Sequence, residues 1–272
     1  MRGKGIRRMR VAGVDIGSRS GKAVIMEDGE IISSSICDTI LKSGEIARLT
    51  IEGALEKAGL TLGDIQYTIA TGYGRFVVPY ASGVISEISC HGKGIHYYFP
   101  SVRTILDIGG QDSKVIRINE RGRVIDFIMN DKCAGGTGRF LEMIADVLQV
   151  PGEEVERLHF QSRKRLPFSS ICVVFVKSEV LTMLREGEEK SDIIAGLNDS
   201  VATAGFGLLK KTSIKKDLSI TGGVAKNAGV VERIREKTGL DPLLAPDPQI
   251  VGALGAAVFA RERLLAGQKK GA

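Results

Sequence analysis

One eight-residue pattern occurs twice in the chain and constrains the fold more than any other feature. Residues 15–22 read Asp-Ile-Gly-Ser-Arg-Ser-Gly-Lys, and residues 107–114 read Asp-Ile-Gly-Gly-Gln-Asp-Ser-Lys. Both copies have the form D-I-G-x-x-x-x-K, and they lie 107 − 15 = 92 residues apart. Self-similarity of this kind indicates two structural units built to one design.

The residues that flank the two copies repeat as well. Each copy follows a short apolar run and leads into a second run, Ala23–Met26 in the first half and Val115–Ile118 in the second. A turn and a third apolar run follow in both halves, and the first turn contains Asp28-Gly29. Asp-Gly between alternating runs is a strong hairpin signal. The sequence therefore predicts a three-stranded β-meander at the start of each half.

Segments with helical periodicity alternate with short strands in the rest of the chain. Ser43 is predicted to cap a helix that ends at Gly59. Further helices are predicted at Thr137–Leu148, Glu179–Glu186, Asp192–Lys211, Lys226–Lys237 and Val251–Leu265, and short strands at Ile65–Ala70 and Leu218–Thr221. This alternation predicts an α/β protein with duplicated βββαβα lobes.

The predicted domains follow from the repeat. Residues 1–100 form the N-terminal lobe, and residues 101–250 form the C-terminal lobe. The last helix, over residues 251–266, is expected to pack back on the N-terminal lobe. Because no low-complexity linker separates the halves, the lobes are expected to share a nucleotide cleft.

The repeated motif suits the chemistry of phosphate transfer. An Asp at a strand end, followed by a glycine turn, offers a carboxylate for Mg²⁺, usually through water, and backbone N–H groups for phosphate oxygens. Asp15 and Asp107 are the predicted metal-side carboxylates, and Gln111 is placed to orient a water. The turn and phosphate residues predicted around them are Gly17, Ser18, Lys22, Gly109, Gly110 and Asp112. Lys22 and Lys114 are open to two interpretations, as phosphate contacts or as surface lysines.

A third element supports nucleotide binding. Residues 219–227 read Ser-Ile-Thr-Gly-Gly-Val-Ala-Lys-Asn, in which a strand enters a Gly-Gly turn before a helix. With the two Asp-Ile-Gly turns, this segment resembles the actin, sugar-kinase and Hsp70 nucleotide-binding fold, which belongs to the ribonuclease H-like folds. The resemblance implies ATP as the nucleotide, with Gly222, Gly223 and Asn227 at the adenosine.

Two of the four cysteines lie just before predicted helices. Cys133 and Cys172 are 172 − 133 = 39 residues apart, and a thiolate at a helix start is stabilised by the free N–H groups there. A [4Fe–4S] cluster usually takes four thiolates, which a symmetric homodimer supplies as 2 × 2 = 4. The residues alone leave a shared zinc site open, and Cys172 taken alone is more typical of a buried core cysteine in an apolar strand. Cys37 and Cys90 are interpreted as structural thiols.

The complete set of motifs carries a closer resemblance. The segments DIGGQDSKVI, NDKCAGGTGRFLE, SSICVVF and TGGVAKN, in this order over about residues 10–260, resemble the activators of 2-hydroxyacyl-CoA dehydratases, in the BadF/BadG/BcrA/BcrD ATPase family. The resemblance implies a homodimer with one [4Fe–4S] cluster held by Cys133 and Cys172 of both subunits. It also implies nucleotide contacts at Gly135, Gly136 and Thr137.

The same resemblance implies a reaction. Reduced ferredoxin or flavodoxin supplies the electron, and ATP hydrolysis drives it into the dehydratase, where the acyl-CoA becomes a ketyl radical that loses hydroxide. Lys177 departs from the family pattern, which usually has Glu there, and this leaves the partner enzyme open. The ATPase subunit of a benzoyl-CoA reductase is the first alternative, although Gly110-Gln111-Asp112 favours the activator. A small-molecule kinase of the same fold and an actin-like filament or scaffold are further alternatives.

Composition excludes other classes of function. The net charge is +6, but aromatic residues are only 5%, which does not match a basic stripe interleaved with aromatics for nucleic acid. No apolar stretch has the length of a signal peptide core or a membrane span. Widely spaced cysteines without an export signal favour thiols over disulfides. A cytoplasmic protein that binds neither nucleic acid nor membrane is therefore expected.

Overall fold

A computed structural model describes residues 8–38, 43–131, 134–168 and 172–270. The chain divides into two compact units that each combine a sheet with helices. The first contains the described residues of 1–100, 120–124 and 249–272, and the second contains those of 101–119 and 125–248. The last helix therefore belongs to the same unit as the first hundred residues. In the described residues, no helix is both long and apolar enough to cross a membrane.

A five-stranded sheet with the order β3-β2-β1-β4-β5 forms the first unit. Its strands are β1 (Arg10–Ile16), β2 (Ser20–Glu27), β3 (Glu30–Asp38), β4 (Tyr67–Thr71) and β5 (Gly83–Val84). The first three strands are antiparallel neighbours, whereas β4 runs parallel to β1. The predicted Asp-Gly hairpin is confirmed: Asp28 and Gly29 have φ of 54° and 102°, and Glu27 pairs with Glu30. Positive φ at both central residues is what a two-residue turn of this type requires.

Three helices complete the first unit: α1 (Ser43–Ala58), α2 (Glu87–Tyr98) and α8 (Val251–Lys270). The prediction for α1 is confirmed, and Gly59 follows it with φ of 64°. α8 packs so closely on the sheet that a side chain on Gly13 would lie 2.9 Å from the carbonyl carbon of Ala256. The small residues of α8 therefore allow the helix backbone to pack closely against β1.

The second unit repeats the meander on a four-stranded sheet with the order β8-β7-β6-β9. Its strands are β6 (Thr104–Ile108), β7 (Ser113–Ile118), β8 (Val124–Asn130) and β9 (Leu218–Thr221). Again the first two strands are antiparallel, and β9 runs parallel to β6. The predicted duplication of the strand pattern is therefore confirmed.

The helices distinguish the two units. Between β8 and β9 the chain forms α3 (Gly138–Leu148), α4 (Gly152–Gln161), α5 (Val173–Arg185) and α6 (Lys190–Lys210), and α7 (Ala228–Thr238) follows β9. In the described residues of the first unit, α1 is the only α-helix at the corresponding position, which lies between β3 and β4. Phe140, Ile144 and Val201 are among the buried residues with which these helices cover the sheet.

One predicted helix needs correction, and two helices were not predicted. The helix predicted at Glu179–Glu186 begins six residues earlier, since α5 spans Val173–Arg185. Val173, Val174 and Phe175 have strand propensity, but packing of Val176 and Val180 in the core stabilises the helix. The unpredicted helices are α2 and α4.

Candidate functional site

The first repeated turn connects β1 to β2 directly after Asp15-Ile16. The backbone N–H of Gly17 donates to the carbonyl of Ser20 at 3.1 Å, which closes a four-residue turn, and Asp15 lies opposite Lys22 in the strand pair. Asp15 is buried, and its Oδ2 lies 4.0 Å from the Nζ of Lys22. Lys22 also donates to the carbonyl of Ser20. The turn therefore holds a buried carboxylate and an ammonium side by side.

The second turn has the same backbone design. Gly109 donates to the carbonyl of Asp112 at 2.9 Å, and Asp107 lies opposite Lys114. Gln111 is exposed within the turn, whereas Asp112 is buried. The structure thus brings together the second set of residues predicted from the repeat, and each hydrogen bond and strand pair has its counterpart 92 residues earlier.

Buried charge distinguishes the second turn. Asp107, Asp112 and Lys114 are at most 5% exposed, so the interpretation of Lys114 as a surface lysine is wrong. The Nζ of Lys114 lies 2.8 Å from Asp112 Oδ1 and 3.4 Å from Asp107 Oδ2. Thr221 donates to the other oxygen of Asp107 at 2.7 Å. Two buried carboxylates and one ammonium leave a net negative charge within this group, which suits a hard divalent cation with oxygen ligands.

A Thr-Gly pair completes each turn, on the strand parallel to the Asp-bearing one. Asp15 pairs with Thr71, and Asp107 pairs with Thr221. The glycine that follows has φ of 83° at Gly72 and 86° at Gly222. A side chain on Gly222 would lie 2.7 Å from the carbonyl carbon of Ile108 and 3.0 Å from Asp107 Oδ1. This second duplication was not predicted from the sequence. Its signal is the Thr-Gly pair at the end of β4 and of β9.

The segment predicted to bind adenosine begins at this glycine. Gly222 donates to the carbonyl of Pro248 at 3.1 Å, and Gly223–Lys226 form a 3-10 turn whose first residue is exposed. Asn227 caps α7, because its side-chain oxygen accepts from the N–H of Val230. The amide nitrogen of Asn227 donates to Asn198. Both polar atoms of the Asn227 side chain therefore bind protein groups, which indicates a role in holding the turn.

The glycine loop after Cys133 is bonded to the second turn. Cys133 itself lies outside the described residues, but Gly135, Gly136 and Thr137 are buried. At the start of α3, Gly138 N–H donates to the carbonyl of Gly109 at 2.9 Å, and Arg139 N–H donates to that of Gly110 at 3.0 Å.

One hydroxyl group adds to this connection, and a second one closes the loop on itself. Ser113 Oγ, at the start of β7, donates to the carbonyl of Gly136 at 3.1 Å, and Thr137 Oγ1 donates to the carbonyl of Ala134 at 2.6 Å. Backbone and side-chain hydrogen bonds therefore join the loop to both ends of the second turn.

Cys172 stands at the start of a helix. It is the residue that precedes α5, with φ of −71° and ψ of 119°, and it is half-buried. The interpretation as a strand cysteine is therefore wrong. The first turn of α5 contains no acidic residue, and its Val174 and Phe175 are 72% and 65% exposed.

Lys177 lies one turn along α5 and is exposed. It lines a cavity of about 450 Å³ whose lining residues all come from α3 and α5. The other residues that line this cavity are Met143, Ile144, Asp146, Val147 and Val173. The side chain interpreted above as a departure from the family pattern thus lines a cavity that is shared by the helix after Cys133 and the helix after Cys172.

The remaining cysteines fit structural roles. Burial raises the pKa of the Cys90 thiol to about 12, so the thiol stays protonated near neutral pH. Cys37 is half-buried in β3. Within the described ranges, no three His, Cys, Asp or Glu side chains are grouped to hold a metal ion.

Comparison with known proteins gives consistent matches. The profile of the BadF/BadG/BcrA/BcrD ATPase family matches residues 12–260. A protein of Anaerotignum propionicum named activator of lactoyl-CoA dehydratase is 47% identical over 262 residues, which cover 96% of this chain and 100% of that protein. One of the subunits of the benzoyl-CoA reductase of Thauera aromatica is 30% identical over 91% of this chain and 92% of its own length.

A solved structure matches along nearly the whole chain. The activator of the 2-hydroxyisocaproyl-CoA dehydratase from Clostridium difficile, solved with bound ADPNP, superposes with a TM-score of 0.92 at 38% identity. The match covers 96% of this chain and 98% of that one. The predicted two-lobed actin-like fold is thereby confirmed.

Proposed function

The chain belongs to the BadF/BadG/BcrA/BcrD ATPase family, and we propose that it is a homodimeric iron–sulfur ATPase that activates a 2-hydroxyacyl-CoA dehydratase. In this proposal, ATP hydrolysis drives a single low-potential electron from reduced ferredoxin or flavodoxin into the dehydratase. The names of close relatives, which are activators of such dehydratases, support the choice of partner.

The two turns are the proposed phosphate sites. The N–H groups of Ser18, Gly110 and Gln111 make no hydrogen bond to another described residue, which suits donation to phosphate oxygens. Asp107 is the better fixed carboxylate, because Thr221 and Lys114 hold its two oxygens. We assign Asp15 and Asp107 to Mg²⁺ through water, and Gln111 to the attacking water. When bound, Mg²⁺ would neutralise the charge of the phosphate groups.

The hydrogen bonds from the start of α3 to the second turn carry the proposal. Gly109 and Gly110 are bonded through their carbonyls to the N–H groups of Gly138 and Arg139. If the loop Gly109–Gly110 shifts when the γ-phosphate leaves, these hydrogen bonds would therefore displace the first turn of α3. Cys133 precedes that turn by five residues, so the same shift would reach the proposed cluster ligand.

The residues near Cys172 fit an iron–sulfur cluster. A thiolate at the start of α5 is stabilised by the helix N–H groups, and no carboxylate in the first turn opposes it. The exposed Val174 and Phe175 provide an apolar surface that a second copy of the chain would cover. Cys133 and Cys172 from both copies would hold one [4Fe–4S] cluster, which relays one electron at a time.

The test is ATP-dependent activation of a purified 2-hydroxyacyl-CoA dehydratase under anaerobic conditions. The reduced protein with MgATP should start dehydration of a 2-hydroxyacyl-CoA ester, and omission of ATP should abolish it. Cys172→Ala should lose the activity, whereas the control Cys37→Ala should keep it. Activation without ATP, or full activation by Cys172→Ala, would refute the proposal.

One alternative has support of its own. The similarity to a benzoyl-CoA reductase component keeps an ATPase subunit of an aromatic acyl-CoA reductase as the second candidate. The same reduced protein would then support ATP-dependent reduction of benzoyl-CoA by the matching reductase and would not activate any 2-hydroxyacyl-CoA dehydratase. Running both partner enzymes in parallel separates the candidates.

A further inference from the structure

A chain of four hydrogen-bonded polar side chains, of which the middle two are buried, connects the proposed adenosine turn to helices α4, α6 and α7. Asn227 Nδ2 lies 3.0 Å from Asn198 Oδ1 in α6, and Asn198 Nδ2 lies 3.0 Å from His159 Nδ1 in α4. His159 Nε2 lies 3.1 Å from Glu232 Oε2 in α7. Asn198 and His159 are at most 1% exposed. We call these four residues the asparagine–histidine relay.

One backbone group fixes the direction of every hydrogen bond in the relay. The N–H of Val230 can only donate, so the atom of Asn227 that it meets is the oxygen. The Asn227 nitrogen must then donate to the oxygen of Asn198, whose nitrogen in turn donates to His159 Nδ1. His159 therefore accepts at Nδ1 and carries its proton on Nε2, which donates to the Glu232 carboxylate.

The relay requires a neutral imidazole. A proton on Nδ1 would place two donors against each other between His159 and Asn198. Burial lowers the pKa of His159, the hydrogen bond to Glu232 opposes this, and Arg233 and Arg165 lower it further. These residues are the charged groups that face the ring.

The first turn of α7 packs directly against the asparagine–histidine relay. A side chain on Gly229 would lie 2.5 Å from Asn198 Nδ2 and 2.6 Å from His159 Cγ, so only glycine lets the first turn of α7 approach this closely. Asn227 N–H also donates to the carbonyl of Val224 at 2.9 Å, which ties the relay to the 3-10 turn that begins at Gly223.

From this geometry we infer that His159 and Asn198 are positioning residues, which hold the turn Gly222–Asn227 in the shape that binds the nucleotide. The inference rests on the proposed function, in which this turn contacts the adenosine. Thr221 anchors the turn at one end through Asp107, and the relay anchors it at the other.

The test uses two substitutions of one residue with MgADP binding by calorimetry. Asn198→Ala leaves Asn227 and His159 without partners and should weaken MgADP binding about tenfold, the change expected for one lost buried hydrogen bond. Asn198→Asp keeps an oxygen for Asn227 but requires a protonated His159. Its affinity should therefore fall as the pH rises, whereas wild-type affinity should fall as the pH is lowered. Thr238→Ala, at the other end of α7, controls for general destabilisation.

A second measurement is independent of nucleotide binding. The ¹⁵N shifts of His159 in the wild-type protein should report a neutral ring protonated on Nε2. Protonation on Nδ1 at neutral pH would overturn the relay. Unchanged MgADP affinity in Asn198→Ala would overturn its role while the proposed function stands. A wild-type chain that does not bind MgADP would overturn both.

Discussion

Replacement of Gly222 by alanine should damage both the stability of the second unit and nucleotide binding. The backbone there, with φ of 86° and ψ of 176°, lies in a region that is essentially restricted to glycine, at a cost of about 1–3 kcal/mol for other residues. The new methyl group would also lie 2.7 Å from the carbonyl carbon of Ile108, and relief of such an overlap adds about 1–3 kcal/mol. Together these costs predict a loss of about 2–6 kcal/mol.

Gly239→Ala is the matched control for this prediction. Gly239 also has positive φ, 66°, but a side chain there would meet nothing within 4 Å. Its replacement should cost only the backbone strain, about 1–2 kcal/mol. The free energy of unfolding of both variants can be measured by urea denaturation with circular dichroism, because the chain has no tryptophan.

The nucleotide affinity provides the second half of the same assay. Asp107 Oδ1 lies 3.0 Å from the position of the added methyl group, so Gly222→Ala should displace the carboxylate and weaken MgADP binding, whereas Gly239→Ala should not. If Gly222→Ala were no less stable than Gly239→Ala, the close approach of Gly222 to Ile108 would be refuted.

Three further predictions follow from the site. Asp107→Asn should lower MgATP hydrolysis about a hundredfold, the order expected for one preorganised electrostatic contact, and should leave the iron content unchanged. Unchanged turnover would refute the assignment of Asp107. Cys133→Ala should lose bound iron yet retain MgADP binding, and a full complement of iron would contradict the ligand assignment. The folded pKa of His159 lies below its ordinary value of 6.5, so the unfolded chain binds more protons as the pH falls below that value. The free energy of unfolding should therefore decrease on acidification from pH 6.5, and it should decrease less in His159→Gln. An equal decrease in both proteins, measured by urea denaturation at each pH, would refute this.

The strands and turns of the repeat were predictable from the sequence. Local chemistry decides them, because Asp28-Gly29 selects its hairpin and each D-I-G-x-x-x-x-K motif begins and ends in paired strands. The register follows from the same local pattern, which places Asp15 opposite Lys22 and Asp107 opposite Lys114.

The second duplication was hidden by an insertion. Thr71 and Thr221 are 221 − 71 = 150 residues apart, whereas the two Asp-Ile-Gly turns are 92 residues apart. The second unit therefore has 150 − 92 = 58 additional residues between its Asp-Ile-Gly turn and its Thr-Gly pair. Those residues lie in the segment between β8 and β9, which contains four helices and Cys172. A search at constant spacing therefore does not find the Thr-Gly pairs.

Tertiary packing decided the features that the sequence did not predict. The apolar run after Cys172 has the composition of a strand, yet it forms α5 because Val176 and Val180 pack in the helical core. The asparagine–histidine relay joins residues from three helices with no common spacing. Only the folded chain brings His159, Asn198 and Asn227 together.

The central claim, that this ATPase shares an iron–sulfur cluster between two copies, is tested most directly by its metal content. Iron and acid-labile sulfide should be measured on anaerobically purified protein of known oligomeric state, with the absorbance spectrum before and after exposure to air. We predict a dimer with about four iron and four sulfide ions, whose absorbance is bleached by oxygen. Protein without iron after reconstitution, or a monomer with a complete cluster, would contradict it.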